Sequence, residues 1–167
     1  MKTIEVLRKL INMYYYLLLL VLVGIVIFIP IKIQQGKAMD LKMIEDYDTS
    51  SLSIPSLIAI VVVLTVIYIL FVRAVYLLKD TLKDLSEGNY FSELITNNFK
   101  MIGKLILICG ISYAVFKFVM RLLLLKDIRL GIDFSLITPI IIGLFFMFLS
   151  EVFTKARLTE QENNLTI

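Results

Sequence analysis

Lys117 sits in the third of four long apolar stretches of a 167-residue chain, with Arg121 one helical turn further on. A charge placed in hydrocarbon costs about 2.5–3.5 kcal/mol on insertion scales unless it is paired or hydrated, so ionisable groups at that depth are the first candidates for function. Lys117 is about eight residues from the far end of its stretch, roughly 12 Å at 1.5 Å per residue. Gly103, Gly110, Ala114, Lys117 and Arg121 share one helical stripe. Small residues on that stripe let a second helix approach closely and turn the two cations toward the protein. The chemistry this predicts is a cationic site for an anionic ligand or lipid headgroup, with Tyr113 beside it. The plainer reading is that both cations reach the membrane surface along their own aliphatic stems, or pair with Asp127 and Asp133.

Several other chemistries are excluded by count. There is no histidine and a single cysteine, Cys109, so imidazole acid–base chemistry, a zinc cluster, a haem-attachment motif and an intramolecular disulfide all lack their residues. Cys109 lies within an apolar stretch, where a lone thiol is a packing residue. No carboxylate stands in mid-span, which leaves a proton relay or cation pathway without ligands. Neither a Gly-x-Ser-x-Gly elbow nor a glycine-rich phosphate loop is present. No cofactor, metal or catalytic residue is expected, and the chain is read as non-enzymatic. The 17 basic and 14 acidic residues are scattered rather than clustered, which argues against direct nucleic-acid binding.

The elements that position Lys117 follow from composition. Hydrophobic residues make up 59% of the chain, with a mean hydropathy of +0.91, against about 45–50% in soluble domains. A helix needs about 20 mainly apolar residues to cross a bilayer, and four stretches qualify: residues 13–33, 54–78, 102–125 and 134–153. The first is longer than a signal-peptide core and has no small-residue cleavage pattern after it, so it is read as a retained anchor. Pro55 suits the first turn of the second helix. The expected fold is all-α, one domain, a four-helix transmembrane bundle. With the N-terminus inside, ten cations (Lys2, Arg8, Lys9, Arg73, Lys79, Lys83, Lys100, Lys104, Lys155, Arg157) face six outside (Lys32, Lys37, Lys42, Arg121, Lys126, Arg129). The asymmetry favours both termini in the cytoplasm, with a cytoplasmic loop over 79–101 and a cytoplasmic tail over 154–167. Tyr14, Tyr15 and Tyr16 stand where an inner aromatic belt would lie.

The loop carries Tyr90, Phe91 and Phe99, read as exposed beside charges, with Gly88 and Asn89 marking a turn and Ser92 placed to cap a short helix leading into the third span. The runs LSEGNYFSELITNNFKMIG (85–103) and LTEQENNLTI (158–167) resemble the bacterial domain-of-unknown-function family 2975. Gly88, Phe91, Ser92, Phe99, Ile102 and Gly103 carry the likeness in the loop, and Leu158, Glu160, Glu162, Leu165, Thr166 and Ile167 carry it at the end. The chain departs at Asn89-Tyr90, where the family would place a basic residue and often a proline. The resemblance implies a small four-span protein of the bacterial cytoplasmic (inner) membrane. It also implies a regulatory pairing with a cytoplasmic helix-turn-helix regulator of the Xre type. The expected partner-binding residues are Gly88, Phe91, Ser92, Leu165, Thr166 and Ile167, the alternative being that the loop's apolar side chains bury in the inner leaflet or cap the helices. The competing function is a small oligomeric transporter, channel or export-immunity protein, a homo-oligomer with Lys117 and Arg121 lining a path.

Overall fold

The computed structural model describes residues 2–34, 53–125 and 134–165, with side chains described for 2–31, 53–124 and 136–163. Four long helices make up nearly all of it: α1 (Lys2–Gln34), α2 (Ile54–Ser86), α3 (Glu93–Leu125) and α4 (Phe134–Leu165). Each is 32 or 33 residues long, about 50 Å at 1.5 Å per residue, well beyond the roughly 30 Å of a hydrocarbon core. All four are long and apolar enough to cross a membrane. Large side chains such as Leu20, Ile27, Phe28, Leu123, Ile141 and Phe148 stand exposed along them. In water such faces would collapse together; in a bilayer they meet lipid at no cost. Pro55 falls in the first turn of α2, behind an N-cap at Ser53, where its missing N–H has no partner to lose.

The extra length corrects the reading of the connecting segments. Residues 79–101, read as a loop with a short helix after Ser92, are helical apart from 87–92, and α4 runs through to Leu165, so α2, α3 and α4 extend into the segments read as loop and tail. Leu82 and Ile95, assigned to the loop, are 5% and 0% exposed: their helical spacing continues the buried stripes of α2 and α3 past the end of the apolar run. Beyond the predicted spans the helices continue for roughly 12–18 Å, at the end that carries the start of α1, the α2–α3 turn and the end of α4. We call this the terminal end.

The bundle is open. Among the described residues, α1 contacts α2, α2 contacts α3 and α3 contacts α4, with no contact between other pairs. Three apolar clusters lie between the helices: Leu18 with Val72 and Val75, Ile60 with Phe116 and Met120, and Ile95, Phe99 and Ile102 of α3 with Phe146 and Phe153 of α4 and Leu77, Leu78 and Leu85 of α2. Each pair is also tied by a side chain that donates to a backbone carbonyl across the interface. Tyr68 Oη donates to Leu18 O at 2.9 Å, Cys109 Sγ to Ile67 O at 3.6 Å, and Ser150 Oγ to Thr96 O at 2.8 Å, fully buried. Such bonds average about 0.6 kcal/mol in membranes.

The closest approach is between α3 and α4. A Cβ built on Gly103 would lie 2.6 Å from the carbonyl oxygen of Gly143, one on Gly110 2.5 Å from Pro139 Cβ, and one on Gly143 2.6 Å from Leu107 Cγ. With Ser150 on Thr96, these contacts recur at Thr96, Gly103 and Gly110, every two turns of α3. The small-residue stripe seen in the sequence is therefore the seam against α4. Gly103→Ala is expected to lower stability by about 1–3 kcal/mol, the usual range for overpacking, because Gly143 O is backbone and cannot swing aside. Gly24→Ala should have no such effect, its nearest neighbour being Phe28 Cδ2 at 4.0 Å. Thermal unfolding in detergent, followed by reaction of a thiol dye with buried Cys109, checks both.

Candidate functional site

The α2–α3 turn is where the sequence placed the partner-binding motif, and its geometry is built around Asp84. The helix ends as Glu87 N–H donates to the carbonyls of Lys83 and Asp84 and Gly88 N–H to that of Leu85. Gly88 then adopts φ 91°, a left-handed conformation that costs a side-chain-bearing residue roughly 1–2 kcal/mol. Asn89 N–H returns to Asp84 O at 3.2 Å. Ser92 Oγ donates to Asp84 Oδ2 at 2.6 Å and accepts from Ile95 N–H at 3.3 Å, so Ser92 is the N-cap of α3. The helix it caps is the third span itself, not a short separate one. The Asp84 carboxylate also accepts from Asn89 Nδ2 at 3.5 Å, so it ties the turn to the start of the next helix.

The motif residues divide by exposure. Phe91 is 41% exposed and Tyr90 36%, with Leu94 41% exposed beside them and Leu158 49% exposed on α4. Phe99 is only 5% exposed, its ring 5.4 Å from Phe153 and 5.9 Å from Phe146. Its assignment to an exposed surface is therefore corrected: it falls on the α3 stripe of Ile95 and Ile102 and belongs to the core. Gly88 and Ser92 shape the turn, and Phe91 is the member left open for contact. Leu165 is the last residue of α4, but its side chain, like Thr166 and Ile167, lies outside the described residues.

Lys117 and Arg121 are half-buried on α3, and both are engaged by other groups. They stand roughly 36–42 Å along the helix from the α2–α3 turn, so the two sets of candidates chosen from sequence do not converge. Asp127 and Asp133, their expected partners, lie outside the described residues. Neither cation lines the polar grooves found at the terminal end.

Those grooves were not foreseen as sites. One, of about 490 Å³ between α1 and α2, is lined by Arg8, Lys9, Asn12, Lys79, Asp80 and Lys83. The other, of about 520 Å³ between α3 and α4, is lined among others by Thr96, Asn97, Lys100, Glu151 and Lys155. Glu93 and Arg157 also line it, 3.6 Å apart, a partly exposed pair of small energetic weight. The sequence signal for the first groove was the pair of cations before the first span and the Lys79/Lys83 spacing of four after the second. Among the described residues no group of three or more Cys, Asp or Glu side chains is placed to hold a metal.

Four apolar helices in an antiparallel row define a multi-pass membrane protein. A family model described as a protein of unknown function, DUF2975, matches residues 13–167, nearly the whole chain. The chain belongs to that family. No curated protein and no solved structure matches it.

Ser92→Ala should cost about 1 kcal/mol through the lost cap, and Asp84→Ala more, since it removes the acceptor of both Ser92 Oγ and Asn89 Nδ2. Hydrogen exchange in nanodiscs is expected to speed up at Asn89 and Ile95 in both variants while amides near Gly110 keep their wild-type rates.

Proposed function

We propose that the chain is a non-enzymatic regulatory protein of the bacterial cytoplasmic membrane whose terminal end faces the cytoplasm and holds a soluble partner, a helix-turn-helix regulator of the Xre type. The observation that carries this reading is the exposure of Tyr90, Phe91, Leu94 and Leu158 on helix ends that continue past the spans. A rigid turn pinned by Asp84 presents Phe91, and the Glu93–Arg157 pair brings Leu158 of α4 to the same region, next to Arg157 in sequence. Apolar anchors ringed by charge are the usual anatomy of a small binding patch. The excess of cations at this end supports the orientation.

The regulatory assignment rests on the family resemblance and on the lack of an acid–base pair at lipid depth in the sequence. The test is a pull-down from native membranes with wild-type protein, Phe91→Asp and a variant lacking residues 158–167. A DNA-binding regulator should come down with the wild type, and both variants should weaken its capture by at least about 1 kcal/mol, the threshold for an interface anchor. Capture of no such regulator, or equal capture by all three, would refute the reading.

A further inference from the structure

The α1–α2 groove combines features that no packing role requires. Arg8, Lys9, Lys79 and Lys83 face a single carboxylate, Asp80, giving a formal charge of +3 from four cations and one anion. Two of the cations are held in place. Arg8 Nη1 donates to Ser86 Oγ at 2.8 Å, with Ser86 in turn donating to Lys83 O at 2.7 Å. Lys79 Nζ lies 4.8 Å from the Tyr15 ring centroid and 5.0 Å from that of Tyr16. Tyr76, which also lines the groove, has its ring 5.8 Å from Tyr15. An ammonium over an aromatic face keeps N–H donors for another acceptor, and the guanidinium of Arg8 has donors beyond the one given to Ser86.

The depth of the groove selects the ligand. Arg8, Lys9 and Asn12 immediately precede the apolar run of α1, and Lys79 and Lys83 immediately follow that of α2, so the groove opens at the level of lipid headgroups with tyrosines on its apolar side. Its charged lining is dominated by donors: a planar fork, three ammonium groups and the Asn12 amide. That set suits an oxyanion with several acceptor oxygens, and basic pockets between helices at this level are a known mode of headgroup recognition. We propose that this groove binds the phosphate group of an anionic ligand, either a phospholipid headgroup or a soluble phosphate ester. Arg8 and Lys79 are its fixed contacts, and Lys9 and Lys83 its mobile ones.

Native mass spectrometry of the full-length protein tests this, with phosphatidylglycerol and phosphatidylcholine as lipid probes and glycerol phosphate as a soluble competitor. Wild type should retain phosphatidylglycerol over phosphatidylcholine. At about five-fold per cation near an anionic surface, the Arg8→Gln/Lys79→Gln pair should lose roughly 30-fold in phosphatidylglycerol binding. Lys100→Gln/Lys104→Gln, which removes the same charge from α3, should change it little. Displacement of the lipid by millimolar glycerol phosphate would assign the site to a soluble ester, and resistance to displacement would assign it to the lipid. Should the double variant fail to fold, Lys83→Gln is expected to lose about five-fold while Lys104→Gln, on α3 and outside the groove, binds as wild type. No preference for phosphatidylglycerol, or equal losses in the α1–α2 and α3 variants, would overturn the proposal.

Discussion

The contact on which the rest of this structure depends is the approach of α3 to α4 at Gly103 and Gly143. In a bilayer the lipid tails are as apolar as leucine, so burying leucine against leucine gains little, and helices associate where their surfaces fit closely. Neither glycine has room for a methyl group; the absence of two Cβ atoms is what lets the backbones meet. Ser150 on Thr96 and Gly110 on Pro139 extend that seam in both directions. α2 then lies against α3, and α1 against α2, through interfaces of larger side chains.

A row of four helices leaves wide apolar faces, which lipid covers, and among the described residues the terminal end carries both polar grooves. There the helices continue past the apolar spans, and side-chain hydrogen bonds join them: the Asp84–Ser92 clasp, the Arg8–Ser86 bond and the buried Ser150 contact. The same end offers an exposed Phe91 and a cationic groove. The proposed role as a membrane-anchored platform, with recognition on these helix ends, would use these features together.

The four spans were legible in the sequence because about 20 apolar residues in a row have few other folded uses. Gly88 as a turn and Ser92 as a cap were legible too, since those residues are favoured by left-handed backbone and by free helix N–H groups. The stripe from Gly103 to Gly110 was visible as one side of a seam, but its other side, Gly143 and Pro139, required knowing which helix comes next to it. The segments 79–86 and 93–101 were placed outside the spans because charges interrupt the apolar run, although Leu82, Ile95 and Phe99 keep helical spacing through them. The α1–α2 groove was hidden for a simpler reason: Arg8 and Lys79 are far apart in the chain, and only an antiparallel pairing of α1 with α2 brings them together.

The central claim is that the terminal end faces the cytoplasm and does the binding. Its most direct test is sided labelling of single cysteines at Asn89 and Glu162 in a Cys109→Ser background, with a membrane-impermeant maleimide applied to intact cells and to inside-out vesicles. Labelling at both positions only in inside-out vesicles is the result expected. Labelling of either position in intact cells would place this end outside and contradict the claim.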